Sequence, residues 1–447
     1  MAFISHFTHS VIWGTPMVVC MLLVGILLTL STRGILFRKS GIVARYTLCT
    51  LFQKQPTARG AVSPFAAVCT ALAGTVGTGN IVGVALAIAV GGAGAVFWMW
   101  VSALAGMIIK YAEVTLAVFF RTRHENGSMV GGPMYYIRDG LHLPWLAGIF
   151  AVCGALAAFG IGAAVQANSL VGGITAVYPL SPALLGAVTA LLAALVLIGG
   201  IRRISNMAQL LVPFMALLYL GGCILVLFVH RAALPAAFVS IFKDAFCGTA
   251  AVGGFAGSTV AHTCRVGIAR GVFTHEAGMG SAPIAHAAAD TDHPAKQGLW
   301  GTFEVFFDSI VMCTVTALVI LSSGVWTLPV PQGEMSALAF KTAFAGGDIL
   351  VAVALALFAF ATVIAWYYYG EQCVHYLFPR RPAVWCIYQI VYVLLVYVGA
   401  VAKLETVWTF ADLFNGMMAI PNLLALVLLS PQVRRLTDDF FGGTVKK

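Results

Sequence analysis

The stretch Ala71-Leu-Ala-Gly-Thr-Val-Gly-Thr-Gly-Asn80, continuing through Ile81-Val-Gly-Val-Ala-Leu-Ala-Ile-Ala-Val90, decides how the chain is read. It lies inside a long apolar segment, yet Gly74, Gly77 and Gly79 crowd its middle. Glycine is about 1 kcal/mol worse than alanine in a helix interior. Three glycines in six residues predict a helix that opens partway across a membrane. Opening frees backbone N–H and C=O groups, and in hydrocarbon each costs several kcal/mol unless something polar meets it. A bound solute and a bound cation are the natural partners.

Composition supports a membrane setting. The 447 residues are 60% hydrophobic and 9% charged, with mean hydropathy +0.95. Soluble domains carry about a quarter charged residues. The class is therefore an all-α polytopic membrane protein. The net charge of +9 does not point to nucleic acid, because the basic residues sit in short loops between apolar runs. The ten cysteines are scattered without a C-x-x-C pair, as expected of reduced, packed thiols. The first apolar run, 11–30, lacks a basic segment before it and a small-residue cleavage site after it, so it is expected to be a retained helix.

Runs of about 20 apolar residues mark spanning helices. Eleven are expected: about 11–32, 62–92, 95–119, 145–173, 182–200, 206–229, 240–266, 298–322, 347–369, 383–402 and 407–430. With that count, 20 of the 25 Lys and Arg residues fall on one side. The positive-inside rule then sets an outside N-terminus and a cytoplasmic C-terminus; the expected location is a plasma membrane, the inner membrane of a bacterium. Residues 39–54 mix polar and apolar side chains; they read as an amphipathic helix on the cytoplasmic surface or as a basic linker.

Helix 7 holds a second glycine cluster, Gly253-Gly-Phe-Ala-Gly-Ser258. Helix 2 enters from the cytoplasm and helix 7 from outside, and helices 2–6 and 7–11 are five apiece. A broken helix opening each half, in opposite orientation, is the signature of an inverted-repeat transporter. The alternative is that both clusters are packing surfaces, since Gly79-x-x-x-Gly83 is also a small-xxx-small pattern. The division follows: one transporter domain over 1–447, with an added N-terminal segment over 1–60, a first repeat 61–235, a second repeat 236–430 and a cytoplasmic tail 431–447.

Several longer runs carry a family resemblance. They are Gly77-Thr-Gly-Asn-Ile-Val-Gly-Val-Ala85, Gly91-Gly-Ala-Gly-Ala-Val-Phe-Trp-Met-Trp-Val101, Gly131-Gly-Pro-Met-Tyr-Tyr-Ile137, Gln166-Ala-Asn-Ser169, Arg270-Gly-Val-Phe-Thr-His-Glu-Ala-Gly-Met-Gly-Ser-Ala-Pro283 and His293-Pro-Ala-Lys-Gln-Gly298. Together, in this order, the chain resembles the alanine/glycine:cation symporter family over nearly its whole length. The resemblance implies secondary transport of small neutral L-amino acids, alanine and glycine first and D-alanine as a further substrate, with Na⁺ as coupling ion. It implies a fold like that of the neurotransmitter:sodium symporters, with no organic cofactor and no enzymatic activity. The chain departs from the family pattern at Thr274-His-Glu-Ala-Gly278, where Ser-Asn-Glu-Ala-Gly is usual. It departs again at Ala361-Thr362, where Ser-Thr is usual and a hydroxyl is lost.

The residues expected to do the work follow from both readings. A substrate carboxylate suits the free N–H groups at a helix break, here Gly77, Thr78 and Gly79. Asn80 is expected either to help hold an ion or to tie the opened region to its neighbours. For the ammonium, the resemblance points to Gln166, with Asn168 as a second amide in reach or as helix–helix glue. Phe255 and Trp366 are expected to wall the pocket. For sodium, the fold analogy supplies the Ala73 and Val76 carbonyls, Phe358 and Ala361 oxygens, and the Thr362 hydroxyl. An uncharged oxygen cage suits a monovalent ion, and no transition-metal site is expected.

Charged residues inside spans are treated apart. Lys110 and Glu113 share a helix face and are expected to pair. Glu304 and Asp308 are four apart, and an intramembrane carboxylate is a functional candidate for a proton or a cation. Asp308 keeps proton coupling as an alternative to sodium. Glu276 is placed in a cytoplasmic loop or short helix, paired with Arg270 in an inner gate. A non-transporting amino-acid sensor would keep the same pocket. A membrane enzyme lacks its motifs here, since neither H-E-x-x-H nor G-x-S-x-G occurs.

Overall fold

The computed structural model describes residues 13–50, 61–124, 127–247, 260–402 and 404–444. It begins with α1 (Thr15–Ser31) and the short α2 (Ser40–Thr47). The decisive stretch forms two helices, α3 (Pro64–Thr75) and α4 (Val82–Gly91), followed by α5 (Gly94–Phe119). A small antiparallel pair, β1 (Thr122–Arg123) with β2 (Met129–Val130), leads to α6 (Pro133–Leu141). Then come α7 (Pro144–Thr175), α8 (Pro182–Leu197), α9 (Gly200–Val229) and α10 (Leu234–Phe246). The second half runs α11 (Val260–His275), α12 (Ala282–His286), α13 (Pro294–Ser322), α14 (Met335–Lys341), α15 (Gly347–Leu377), α16 (Pro382–Val401), α17 (Leu404–Leu428) and α18 (Ser430–Thr444). Pro64, Pro144, Pro182, Pro294 and Pro382 open their helices, where a missing N–H and a fixed φ suit the first turn.

Among the described residues six helices, α5, α7, α9, α13, α15 and α16, are long and apolar enough to cross a membrane, or seven if the pair 412–428 and 430–442, bent by 60°, is one span. The chain is a multi-pass membrane protein. The expected number of eleven remains a sequence expectation. Burial sorts the helices into layers. The apolar window of α5 is 83% buried inside the protein, against 39% for α9 and 28% for α16. Leu210, Leu217 and Phe228 on α9, and Ile387 and Leu394 on α16, are exposed, as suits helices that face lipid.

The first break is where the glycines place it. Ser63 caps α3 by accepting from Ala66 N at 3.1 Å. The helix then runs only to Thr75, because Val76 leaves helical geometry at ψ 87° and Gly77 is extended at φ −133°, ψ −152°. One 3₁₀ turn, Thr78–Asn80, carries the chain into α4. The second cluster, Gly253–Ser258, lies outside the described residues, between α10 and α11.

Several expectations change. Helix 7 does not end at 266: α11 continues to His275, so Arg265 and Arg270 lie in a helix and not in a loop. The tail 431–447 contributes most of α18, a helix packed on the core, with Val433 and Phe441 buried and Thr437 Oγ1 3.0 Å from Tyr111 Oη. Of the two readings of 39–54, the helix holds in α2, whose Tyr46 ring packs 5.4 Å from Phe440 of α18; residues 51–60 lie outside the described set. Two π-helical stretches, Ala158–Val165 in α7 and Phe306–Cys313 in α13, are not legible in the hydropathy pattern. A π insertion shifts the helix face that follows it and is common at functional sites.

The end of α3 that precedes the break is fastened. Val62 N donates to Ala288 O at 3.0 Å, and Asp290 N donates to Val62 O at 2.7 Å. The Arg121 guanidinium, at the end of α5, donates to the carbonyls of Ala287, Ala289 and Thr291.

Candidate functional site

Opening the helix between Thr75 and Val82 strips partners from several backbone groups. Val76 N still donates to Leu72 O at 2.7 Å. Gly77 N turns away from Ala73 O and donates instead to Asn80 Oδ1 at 3.0 Å. Among the described residues the carbonyls of Ala73 and Val76 are thereby left without a backbone donor, and the N–H groups of Thr78 and Gly79 without an acceptor. These groups sit in the protein interior, where Ala73, Val76, Thr78 and Asn80 are all buried.

A small cavity of about 20 Å³ lies against the break, lined by Gly77, Thr78, Gly79, Gln166, Phe273 and Glu276 among others. That is room for about one water molecule. A solute larger than water therefore enters only if the surrounding helices move apart. A larger cavity, about 920 Å³, opens away from the break among Arg123, His124, Arg202, Glu371 and His375. Its lining mixes basic, polar and apolar side chains, and it holds none of the candidate site residues.

The predicted residues sort as follows. Thr78 Oγ1 donates to Gln166 Oε1 at 3.2 Å, so the α7 amide reaches the break directly after its π stretch. Thr362 on α15 is buried and donates to Phe358 O at 3.0 Å. Its hydroxyl lies so close to Gly77 that a Cβ there would stand 2.7 Å from Thr362 Oγ1. Gly77, in the middle of the opened turn, and the Thr362 face of α15 are therefore brought together. Phe358 and Ala361 lie inside the unbroken α15. The Ala361 carbonyl has one helical donor and so a second lone pair to offer, whereas Phe358 O already accepts the Thr362 hydroxyl as well.

Asn80 has two tasks and both are internal. Its Oδ1 takes Gly77 N, and its Nδ2 donates to Asp308 Oδ1 at 2.7 Å. Both bonds tie the opened turn to itself and to α13. Asp308, inside the π stretch of α13, also accepts from Ser309 Oγ at 2.8 Å. Because Gly77 N is taken, Thr78 and Gly79 are left as the free donors of the expected three. Phe255 lies outside the described residues. Trp366 is fully buried but stands behind the cavity lining, with its Nε1 donating to Glu276 Oε1 at 3.0 Å.

Two pairings differ from the sequence reading, and Asn168 follows the helix–helix alternative. Lys110 does not pair with Glu113; its Nζ lies 3.3 Å from Glu304 Oε1, and both side chains are 0% exposed. Glu113 instead accepts from Gly278 N at 3.0 Å, Gly280 N at 3.1 Å and the Asn422 amide. The i, i+3 argument fails because each side chain meets a stronger partner on another helix. Asn168 caps the end of α16, donating to Gly399 O and Ala402 O at 2.9 Å each, away from the pocket. Glu276 is neither exposed in a loop nor paired with Arg270, whose guanidinium lies over the Phe273 ring at 5.9 Å. Ending the helix at 266 hides this, since it is the extension to His275 that carries Phe273 and Glu276 to the break. Thr274 Cγ2 would meet a Cβ on Gly79 at 3.2 Å, which fixes how closely α11 approaches.

The model of the sodium:alanine symporter family matches residues 1–447. A transporter of Haemophilus influenzae, described as uncharacterized, is 42% identical over 439 residues, covering 97% of this chain and 94% of that protein. The sodium/alanine symporter AgcS of Methanococcus maripaludis is 42% identical over 442 residues, covering 97% and 95%. Among solved structures, MhsT in complex with L-phenylalanine matches with TM-score 0.59 at 13% identity, over 85% of this chain and 99% of that one, which bears on the fold alone. With its full length matched by the family model, and its helix broken where such a fold opens, the chain belongs to the sodium:alanine symporter family.

Proposed function

We propose that this protein is a secondary active symporter that imports small neutral amino acids, alanine and glycine, with sodium by alternating access across a bacterial plasma membrane. The observation that carries the reading is the open turn at 76–81. It leaves two N–H donors, of Thr78 and Gly79, beside two carbonyl acceptors, of Ala73 and Val76, in a buried place. The donors suit a carboxylate at the positive end of α4. The acceptors, with Thr362, suit an alkali ion, since none is charged. On this reading 61–235 and 236–430 are the two repeats, the N-terminus is outside and the C-terminus is in the cytoplasm.

The test is uptake of labelled alanine and glycine into proteoliposomes under an imposed Na⁺ gradient, an imposed H⁺ gradient, or neither. Concentrative uptake with sodium alone is expected. Uptake driven by protons alone would replace sodium as the coupling ion, and saturable binding without uptake would make the protein a sensor.

Two substitutions refine the assignment. Thr362→Ala should raise the sodium concentration needed for half-maximal uptake by roughly tenfold, the effect of one lost oxygen ligand worth about 1–1.5 kcal/mol. An unchanged sodium dependence removes Thr362 from the ion site. Gln166→Ala should raise the half-saturating alanine concentration by a similar factor, because the Thr78 hydroxyl loses its acceptor at 3.2 Å. Wild-type saturation would place the amide outside the pocket.

A further inference from the structure

Four carboxylates are buried in the interior near the break, and they are not equivalent. Glu304 has Lys110 at 3.3 Å and His286 at 3.0 Å. Glu113 is held by two backbone N–H groups and an amide. Asp308 is engaged by Asn80 and Ser309 and does not line the cavity. Glu276 does line it. Its residue is 5% exposed, and no Lys or Arg among the described residues forms an ion pair with it.

The place of Glu276 is unfavourable in three independent ways. It follows the last residue of α11, at the helix end where the backbone dipole is negative and repels an anion. Its φ is +52°, a conformation that glycine usually supplies at this position. It is buried with no Lys or Arg at ion-pair distance among the described residues. Two hydrogen bonds hold it: Trp366 Nε1 to Oε1 at 3.0 Å, and Ser281 Oγ to Oε2 at 2.5 Å. A carboxylate has about four lone-pair directions, so two remain. Across the same cavity Asn415, 1% exposed, presents an Oδ1 that accepts no hydrogen bond. A buried acceptor without a donor is costly unless a ligand supplies one.

We infer that Glu276, assisted by Asn415 Oδ1, is the acceptor for the ammonium group of the transported amino acid. This rests on the symport reading above and names the half of the substrate that the break itself does not hold. The Thr78 and Gly79 N–H groups take the carboxylate end, and Glu276 takes the ammonium end. The zwitterion adds no net charge, so when Glu276 is ionised the loaded pocket carries one negative charge. One monovalent cation cancels it. The same carboxylate thus selects amines over hydroxy acids and makes a sodium ion welcome in the pocket.

The experiment is competition binding on purified full-length protein with labelled alanine, using L-lactate as the competitor that carries a hydroxyl in place of the ammonium. Glu276→Gln, nearly isosteric, should weaken alanine binding by roughly ten- to a hundredfold, the range for a lost charge-assisted hydrogen bond. Lactate binding should hold or improve, so the preference for alanine over lactate collapses. Glu276→Asp keeps the charge and should keep the preference, even if both ligands bind less tightly. Wild-type alanine affinity in Glu276→Gln overturns the assignment. So does an equal loss for alanine and lactate, or a preference lost alike in Glu276→Asp. Wild-type protein indifferent to alanine, with sodium and without, sinks the symport reading itself.

Discussion

Gly77→Ala is expected to abolish sodium-driven alanine uptake while the protein still folds and inserts. A methyl group at Gly77 would stand 2.7 Å from Thr362 Oγ1 and 3.8 Å from Gln166 Oε1. The first distance is closer than real Cβ contacts allow. Thr362 cannot rotate away freely, because its hydroxyl is bonded to Phe358 O inside α15. Either the break or α15 must shift, and both shifts part the opened carbonyls from the Thr362 face. Overpacking of this kind costs about 1–3 kcal/mol. Spent at a binding site, that is roughly a ten- to a hundredfold loss of affinity for each ligand held there. Gly172→Ala, on α7 with nothing within 4 Å of its added methyl, is the matched control and should transport normally. Ordinary uptake by Gly77→Ala would mean that α15 does not press on the break in the working protein.

The second large effect concerns stability. Lys110→Met removes the one cation beside Glu304, and both side chains are 0% exposed. Glu304 would keep only His286, 3.0 Å from Oε2. Breaking a buried pair by deleting one partner costs about 3–5 kcal/mol, because the other charge stays behind unpaired. The midpoint of thermal unfolding in detergent should fall clearly. Lys110→Met combined with Glu304→Gln removes both charges and should recover much of the loss. A double variant no more stable than the single one would show that Lys110 works through another group.

The two experiments bear on features of unequal visibility in the sequence. The break is legible because glycine and hydropathy act locally: Gly74, Gly77 and Gly79 weaken the helix wherever it is placed. The apolar spans are legible for the same reason. Partnerships between helices are not. Lys110 and Glu113 are three residues apart, and local spacing pairs them, but α13 and the turn after α11 offer better partners. Hydropathy misplaces Glu276 because Arg265 and Arg270 interrupt the apolar run, whereas α11 itself continues through both. Asn168 and Gln166 are two residues apart in one motif, yet a helix sends them to different neighbours: Gln166 to Thr78 and Asn168 to the end of α16. The π stretches leave no hydropathy mark at all, and one of them sets the face on which Asp308 reaches Asn80.

The strand-like clasp at Val62 has a mechanical consequence. With a pivot at 76–81 and a tether at Val62, the segment between them is a lever held at both ends. Releasing the Val62 end means unzipping its two main-chain bonds to Ala288 and Asp290. Lipid offers those atoms nothing in return, and water does. The door at that end can therefore open only as fast and as far as it is wetted.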